Sequence, residues 1–249
     1  MVGTLTGKIA VVTGAATGLG REIALRFAQQ GAQVAILGRT LSTLEKTAAE
    51  IGKQTLPIVC DISQSDQVRA AFAKVTQVFG GVDILINNAA IYTPFRLEDA
   101  SDDELQSTFA TNVIGAAFCI RSAIPLMRHR GNGDIVNITS ESVRNPFPYL
   151  SVYASSKAAL ESLTQGLRTE LREDKIRVSA LRVGAMTGNE SAAKWAPGML
   201  DKFIAAIQAS GHAAAVGAGM SPKTVADYLV RVLDLPREAN VDLIELRGV

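Results

Sequence analysis

Seven short runs rich in valine, isoleucine and leucine recur along this chain, separated by segments of helix length: KIAVVT (8–13), QVAIL (33–37), LPIVC (56–60), DILIN (83–87), DIVNIT (134–139), IRVSALR (176–182) and VDLIEL (241–246). Most are apolar on both faces, which suits strands whose sheet is covered by helices on both sides. Parallel strands of that kind are joined by right-handed helical crossovers. The chain therefore reads as α/β, a doubly wound fold with a seven-stranded, mainly parallel sheet and helices on both faces. No linker, charge block or repeat interrupts the pattern, so residues 1–249 are expected to form one domain. The alternation loosens only over 187–221, where Gly, Ala and Pro surround one helix-like stretch near 200–209. This segment is expected to be a lid or a substrate-binding excursion.

Charge narrows the partners. Twenty-five Lys and Arg oppose 24 Asp and Glu, a net charge of +1, so neither nucleic acid nor an anionic membrane is indicated. A small molecule fits better. Cys60 and Cys119 lie in apolar stretches without the spacing of a zinc or redox site, and His129 and His212 stand apart, so no metal is expected. The opening MVGTLTGKIAVVTG reaches a strand too quickly for a signal peptide, and no apolar run approaches the roughly 18 residues of a membrane span. A cytoplasmic location is the expectation.

After the first strand comes Thr13-Gly14-Ala15-Ala16-Thr17-Gly18-Leu19-Gly20, followed at once by the helical run REIALRFAQQ. Glycines at such a turn let backbone N–H groups and the positive end of a helix approach a pyrophosphate. The spacing is G-x-x-x-G-x-G, and a glycine cluster alone can also be no more than a turn. At the end of the second strand stands Arg39, where a dinucleotide site for NAD would place a carboxylate for the ribose 2′-OH. A guanidinium there can grip a 2′-phosphate, which favours NADP(H) over NAD(H). The alternative is a solvated loop cation.

Reduction of a carbonyl needs a proton for its oxygen as well as a hydride for its carbon. Tyr153 can supply that proton, and Lys157, four residues later on one helix face, is placed to lower the phenol from its ordinary ~10. By itself a Tyr and a Lys at this spacing often mean only surface packing.

Together, the TGxxxGxG loop, Asn87-Asn88-Ala89-Ala90 after the fourth strand and Tyr153-Ala-Ser-Ser-Lys157 resemble the short-chain dehydrogenase/reductase family, from about residue 6 to 249. The resemblance implies a Rossmann-type fold, a nicotinamide cofactor and a homodimer or homotetramer, with subunit faces on the helices near 105–127 and 152–171. It assigns Gly14, Thr17, Gly18, Leu19 and Gly20 to the cofactor loop, Asp61 and Ile62 to the adenine, and Asn88 and Ala89 to the turn beside the adenosine ribose. Lys157 would also hold the nicotinamide ribose. Ser140, thirteen positions before Tyr153, takes the place of the family's serine that hydrogen-bonds the substrate oxygen, with Ser142 as a nearby decoy. Asn112 takes that of a helix asparagine holding a water that links Lys157 to solvent.

The chain departs from the family pattern after its sixth strand. Val183 replaces the usual proline before Gly184, and Thr187 comes one position early to contact the nicotinamide carboxamide. Glu141, Asn145, Tyr149, Met186 and Trp195 fall in segments that surround the substrate in such a fold, without assignable roles.

These residues point to an oxidoreductase interconverting a carbonyl and a secondary alcohol, with a 3-oxoacyl thioester, a keto acid, a sugar or polyol and a ring ketone all open as substrates. A catalytically idle NADP-binding sensor or scaffold would keep the glycine loop without needing Ser140, Tyr153, Lys157 and Asn112 together. A sugar-nucleotide epimerase would want a larger C-terminal region.

Overall fold

The computed structural model describes residues 3–188, 192–193, 195–213, 217 and 219–249. All seven expected strands are present: β1 Ile9–Thr13, β2 Gln33–Gly38, β3 Thr55–Val59, β4 Ile84–Asn87, β5 Gly133–Ser140, β6 Ile176–Val183 and β7 Leu243–Leu246. They form one sheet in the order β3-β2-β1-β4-β5-β6-β7, and every pairing is parallel. Their β-branched residues fit a pleat buried on both sides. In β1, Ala10 and Val12 enter one core while Ile9 and Val11 enter the other, as a two-residue repeat requires. Pro57, which cannot donate to a ladder, lies in the edge strand β3.

The helices are α1 Gly18–Gln29, α2 Leu41–Ile51, α3 Ser65–Phe79, α4 Asp102–Phe109, α5 Ala116–Arg130, α6 Ser151–Glu170, α7 Met199–Ala209 and α8 Pro222–Leu233. On one face of the sheet α1 and α8 bury Ile23, Phe27, Val225 and Leu229. On the other, α3 and α5 bury Val68, Phe72, Cys119 and Ile120. Cys60 and Cys119 are both buried thiols, and burial pushes the Cys60 thiol up to about 11.

Helices α4 and α5 run together through a π-helical segment, Ala110–Gly115, as one helix from Asp102 to Arg130. Contrary to the expectation from sequence, this helix is long and apolar enough to match a membrane span. Cys119, Ile120, Ala123 and Met127 on it pack in the core against the sheet. Phe109 and Ile114 on it remain 39% and 48% exposed.

The order of strands across the sheet reverses between β1 and β4, so the connections leaving their carboxyl ends part to opposite sides and open a crevice. Thr13 spans that gap. Its Oγ1 accepts from the backbone N–H groups of Asn88 and Ala89, both at 3.0 Å, so the last residue of β1 holds the turn after β4. Behind it, Asn87 Nδ2 donates to Asn137 Oδ1 and Asn137 Nδ2 to Thr164 Oγ1, each at 2.8 Å, which fixes α6 against β4 and β5.

Candidate active site

A cleft of about 540 Å³ lies over the carboxyl ends of β1, β4, β5 and β6. Its floor at one end is the glycine loop. Gly14 and Gly18 hold φ angles of +64° and +54°, and a Cβ on Gly14 would stand 2.8 Å from the Ala89 Cα. A Cβ on Gly20 would meet the Gly14 carbonyl oxygen at 2.4 Å, which explains a glycine inside α1. Asn88 Nδ2 donates to the carbonyl oxygens of Thr13 and Gly14 at 3.0 and 3.2 Å, pinning this approach. The cap residue Thr17 gives no side-chain oxygen to the start of α1, and the first turn carries no acid. Backbone N–H groups that begin a helix without a cap are suited to an anion. Glycine contacts and an uncapped helix start fit a pyrophosphate here.

Further along, Arg39, Asp61 and Ile62 line the cleft. Arg39 is exposed, and no ion pair engages it among the described residues. Asp61 does serve as a turn residue, its Oδ1 accepting from Ser63 N–H and Ser63 Oγ at 3.0 and 2.8 Å. It also faces the cleft, so the turn role and the expected adenine role are compatible.

At the other end Ser140 closes β5, and α6 brings Tyr153 and Lys157 beneath it. Ser142, the decoy, is buried beside Ser140. Its N–H and hydroxyl both donate to Ser140 Oγ, at 3.2 and 2.9 Å. Lys157 is 2% exposed, with Nζ donating to the Ile138 carbonyl at 2.8 Å and lying 5.8 Å from the Tyr153 ring centre. Burial lowers Lys157 to about 8. Burial also raises Tyr153 to about 12, against the neighbouring Ser140 hydroxyl, which pulls it down. The sequence expectation was a phenol lowered by Lys157. Desolvation sets the direction instead, and the Lys157 ammonium donates to the Ile138 carbonyl.

Asn112, 1% exposed, does not reach the cleft. Its Oδ1 accepts from the Ile91 N–H at 2.7 Å, while Nδ2 donates to the Ile91 carbonyl and to Ser156 Oγ, both at 3.0 Å. The π-helical turn places this amide at the loop after β4, and Gly115 in the same turn leaves room for Ile62, whose Cγ1 would lie 2.8 Å from an added Cβ. The side chain thus ties the Ile91 loop to α6 at Ser156, the residue before Lys157.

After β6, Val183, Gly184 and Thr187 line the cleft. The loop is tied on one side by Thr187 N–H to the Met220 carbonyl at 2.9 Å and by Met220 N–H to the Ala185 carbonyl at 2.8 Å. Thr187 Oγ1 also points to the Met220 carbonyl, at 3.4 Å. On the other side Glu141, 8% exposed, accepts from the Ala185 N–H. Burial raises its carboxyl, countered by that hydrogen bond and by Arg247.

Of the unassigned residues, Glu141 and Met186 reach the cleft, Tyr149 and Trp195 pack on an aromatic cluster beside it, and Asn145 does neither. Tyr92, Phe147, Leu150 and Phe203 also line it and were missed. The one available signal was Tyr92, two residues past the Asn-Asn-Ala-Ala turn. Of the expected excursion over 187–221, residues 189–191, 194, 214–216 and 218 lie outside the described residues.

Residues 8–198 match the family model for short chain dehydrogenase. An uncharacterized oxidoreductase of Staphylococcus aureus (strain MRSA252) is 30% identical over 246 residues, 98% of this chain and 99% of that protein. The structure of 3-ketoacyl-(acyl-carrier-protein) reductase from Brucella melitensis, complexed with NADH, is 31% identical, covers 98% of both chains and superposes with a TM-score of 0.85. That of L-sorbose reductase from Gluconobacter frateurii, complexed with NADPH and L-sorbose, is 28% identical over 99% of this chain and 97% of that one, with a TM-score of 0.86. The chain belongs to the short-chain dehydrogenase/reductase family and is an NAD(P)-dependent oxidoreductase acting on CH–OH groups. One of these structures carries NADH and the other NADPH, so the likeness sets no preference between the two cofactors.

Proposed function

We propose that this protein interconverts a small carbonyl compound and its secondary alcohol with Ser140, Tyr153 and Lys157 as the reacting set, and that it prefers NADP(H). The observation that carries the catalytic reading is the pair of hydrogen bonds from Ser142 into Ser140 Oγ. With two donors on its oxygen, Ser140 is held beside the Tyr153 phenol, and its own proton is directed to that side, where a substrate oxygen would accept it. When bound, the nicotinamide supplies or receives the hydride. Tyr153, held protonated by burial, gives its proton to the carbonyl oxygen as negative charge develops there. Ser140 stabilises the same oxygen by a hydrogen bond. Lys157, one α-helical turn further along α6, stabilises the phenolate that Tyr153 becomes and is placed to hold the nicotinamide ribose. Asn112 sets the Ile91 loop through its side chain, and the water linking Lys157 to solvent that its family counterpart suggests remains part of this reading.

The cofactor would lie with its pyrophosphate on Gly14, Thr17, Gly18 and Leu19, its adenine near Asp61 and Ile62, one ribose beside Asn88 and Ala89, and its carboxamide near Val183, Gly184 and Thr187. Arg39 stands where a 2′-phosphate would come. Residues 1–249 are read as one working domain, with 187–221 as its substrate segment. Exposed Phe109 and Ile114 support self-association through the α4–α5 helix.

The test is titration of the protein with NADPH and NADH, followed by nucleotide fluorescence and repeated on Arg39→Asp. Tighter NADPH binding that Arg39→Asp weakens by about tenfold or more supports the phosphate clamp. Equal affinities in both proteins sink the preference, and no binding of either nucleotide sinks the oxidoreductase mechanism.

A further inference from the structure

Tyr92 has no part in the proton chemistry, yet its ring stands edge-on to that of Tyr153, with centres 4.9 Å apart and planes at 69°. It begins a row of rings leading away from the reacting end. Trp195 lies 5.6 Å from Tyr92 and 5.7 Å from Phe203. The indole is anchored, because Trp195 Nε1 donates to the Tyr92 carbonyl at 3.0 Å. Phe147 and Leu150 complete the surface from the loop before α6. That loop holds Tyr149 at φ +65°, a left-handed conformation rare for tyrosine, and the Phe95 N–H locks it by donating to the Tyr149 carbonyl at 2.9 Å.

Such a wall favours the faces and edges of an apolar ring, and Phe147, Leu150 and Phe203 offer no partner to buried hydroxyl groups. Charge points the same way. Apart from Lys157 beneath Tyr153, the charged side chain lining this end among the described residues is Glu141, a carboxyl. An anionic substrate would meet that carboxyl, whose charge Arg247 offsets only from behind the cleft lining. We infer that the substrate is a neutral ring ketone, whose oxygen reaches Ser140 and Tyr153 while its carbon ring packs on Tyr92, Phe147 and Phe203, with Trp195 backing Tyr92 and Phe203. This rests on the oxidoreductase mechanism for its reacting end, but the binding surface can be tested without turnover.

Trp195 is the chain's single tryptophan and so reports on this surface directly. The full-length protein with NADP⁺ is titrated with decalone, pyruvate and fructose while its emission is followed, and the same compounds are offered for reduction with NADPH and NADH. Decalone is expected to give a saturable change that pyruvate and fructose do not, and a kcat/KM at least about tenfold higher than theirs. Phe203→Ala is expected to weaken decalone binding about tenfold with nucleotide affinity unchanged, and Ile207→Ala, a smaller deletion on α7, in the same direction. Saturable decalone binding without turnover of any compound supports the ring-ketone surface and defeats the proposed chemistry. Best turnover of pyruvate or fructose, or an emission unmoved by decalone, overturns the ring-ketone assignment.

Discussion

Ser142 donates twice to Ser140 Oγ, from its backbone N–H at 3.2 Å and from its hydroxyl at 2.9 Å. The residue that looked like a rival for the catalytic serine instead orients it. Ser140→Ala is expected to lower turnover by about 10²–10³, the usual loss for one donor at a developing oxyanion, with nucleotide affinity unchanged. Ser142→Ala keeps the backbone donor and is expected to cost only about tenfold. Steady-state rates and nucleotide fluorescence on both variants check this.

The two pKa directions set the pH profile of carbonyl reduction. Lys157, lowered to about 8, loses its charge well before Tyr153, raised to about 12, loses its proton. The kcat/KM for reduction, which reports the free enzyme, is therefore expected to fall as pH rises through about 8. Lys157→Arg keeps a cation at that pH and is expected to move the fall upward. A profile flat to pH ~10 in the unaltered protein contradicts the role given to Lys157.

Burial of that ammonium also has a stability consequence. The folded-state pKa is about 8 against an ordinary 10.5, so between these values the unfolded chain binds more protons and stability rises with pH. Below about 8 the full penalty of the buried charge is present. Lys157→Met is expected to stabilise the protein near neutral pH by up to ~3 kcal/mol and to abolish the rise. Urea midpoints near pH ~7 and ~10 measure both effects.

Thr13 joins the glycine loop to the β4 turn through two backbone donors. Thr13→Val keeps the shape but leaves the Asn88 and Ala89 N–H groups without their acceptor. A loss of about 1–3 kcal/mol is expected, from two part-buried donors left unsatisfied, together with weaker nucleotide binding. Unfolding curves and a nucleotide titration read the two losses separately.

Much of this architecture is legible from local chemistry. The strand runs carry β-branched residues at the right lengths, and the glycine cluster marks a turn in which Gly14 and Gly20 meet close backbone and Gly18 needs its positive φ. Ser140, Tyr153 and Lys157 are readable because a strand end and one helix face bring them together. The aromatic surface is not legible in this way. Tyr92, Phe147 and Phe203 come from three separate segments, and only the tertiary fold makes them neighbours. Asn112 announces itself as a polar residue inside a helix, but its partner, Ile91, is chosen by a π-helical turn that no spacing rule indicates. The direction of the Tyr153 shift was missed for a related reason. Spacing shows that Lys157 is near, whereas burial, which raises the phenol, depends on everything packed around it.

The most direct test of the account is Tyr153→Phe, measured for nucleotide binding and for single-turnover reduction of a ketone. The account predicts nucleotide affinity within about twofold of the unaltered protein and a hydride-transfer rate lower by about 10²–10⁴, since the general acid is gone while the cofactor floor is intact. Reduction at an unchanged rate by Tyr153→Phe would contradict it.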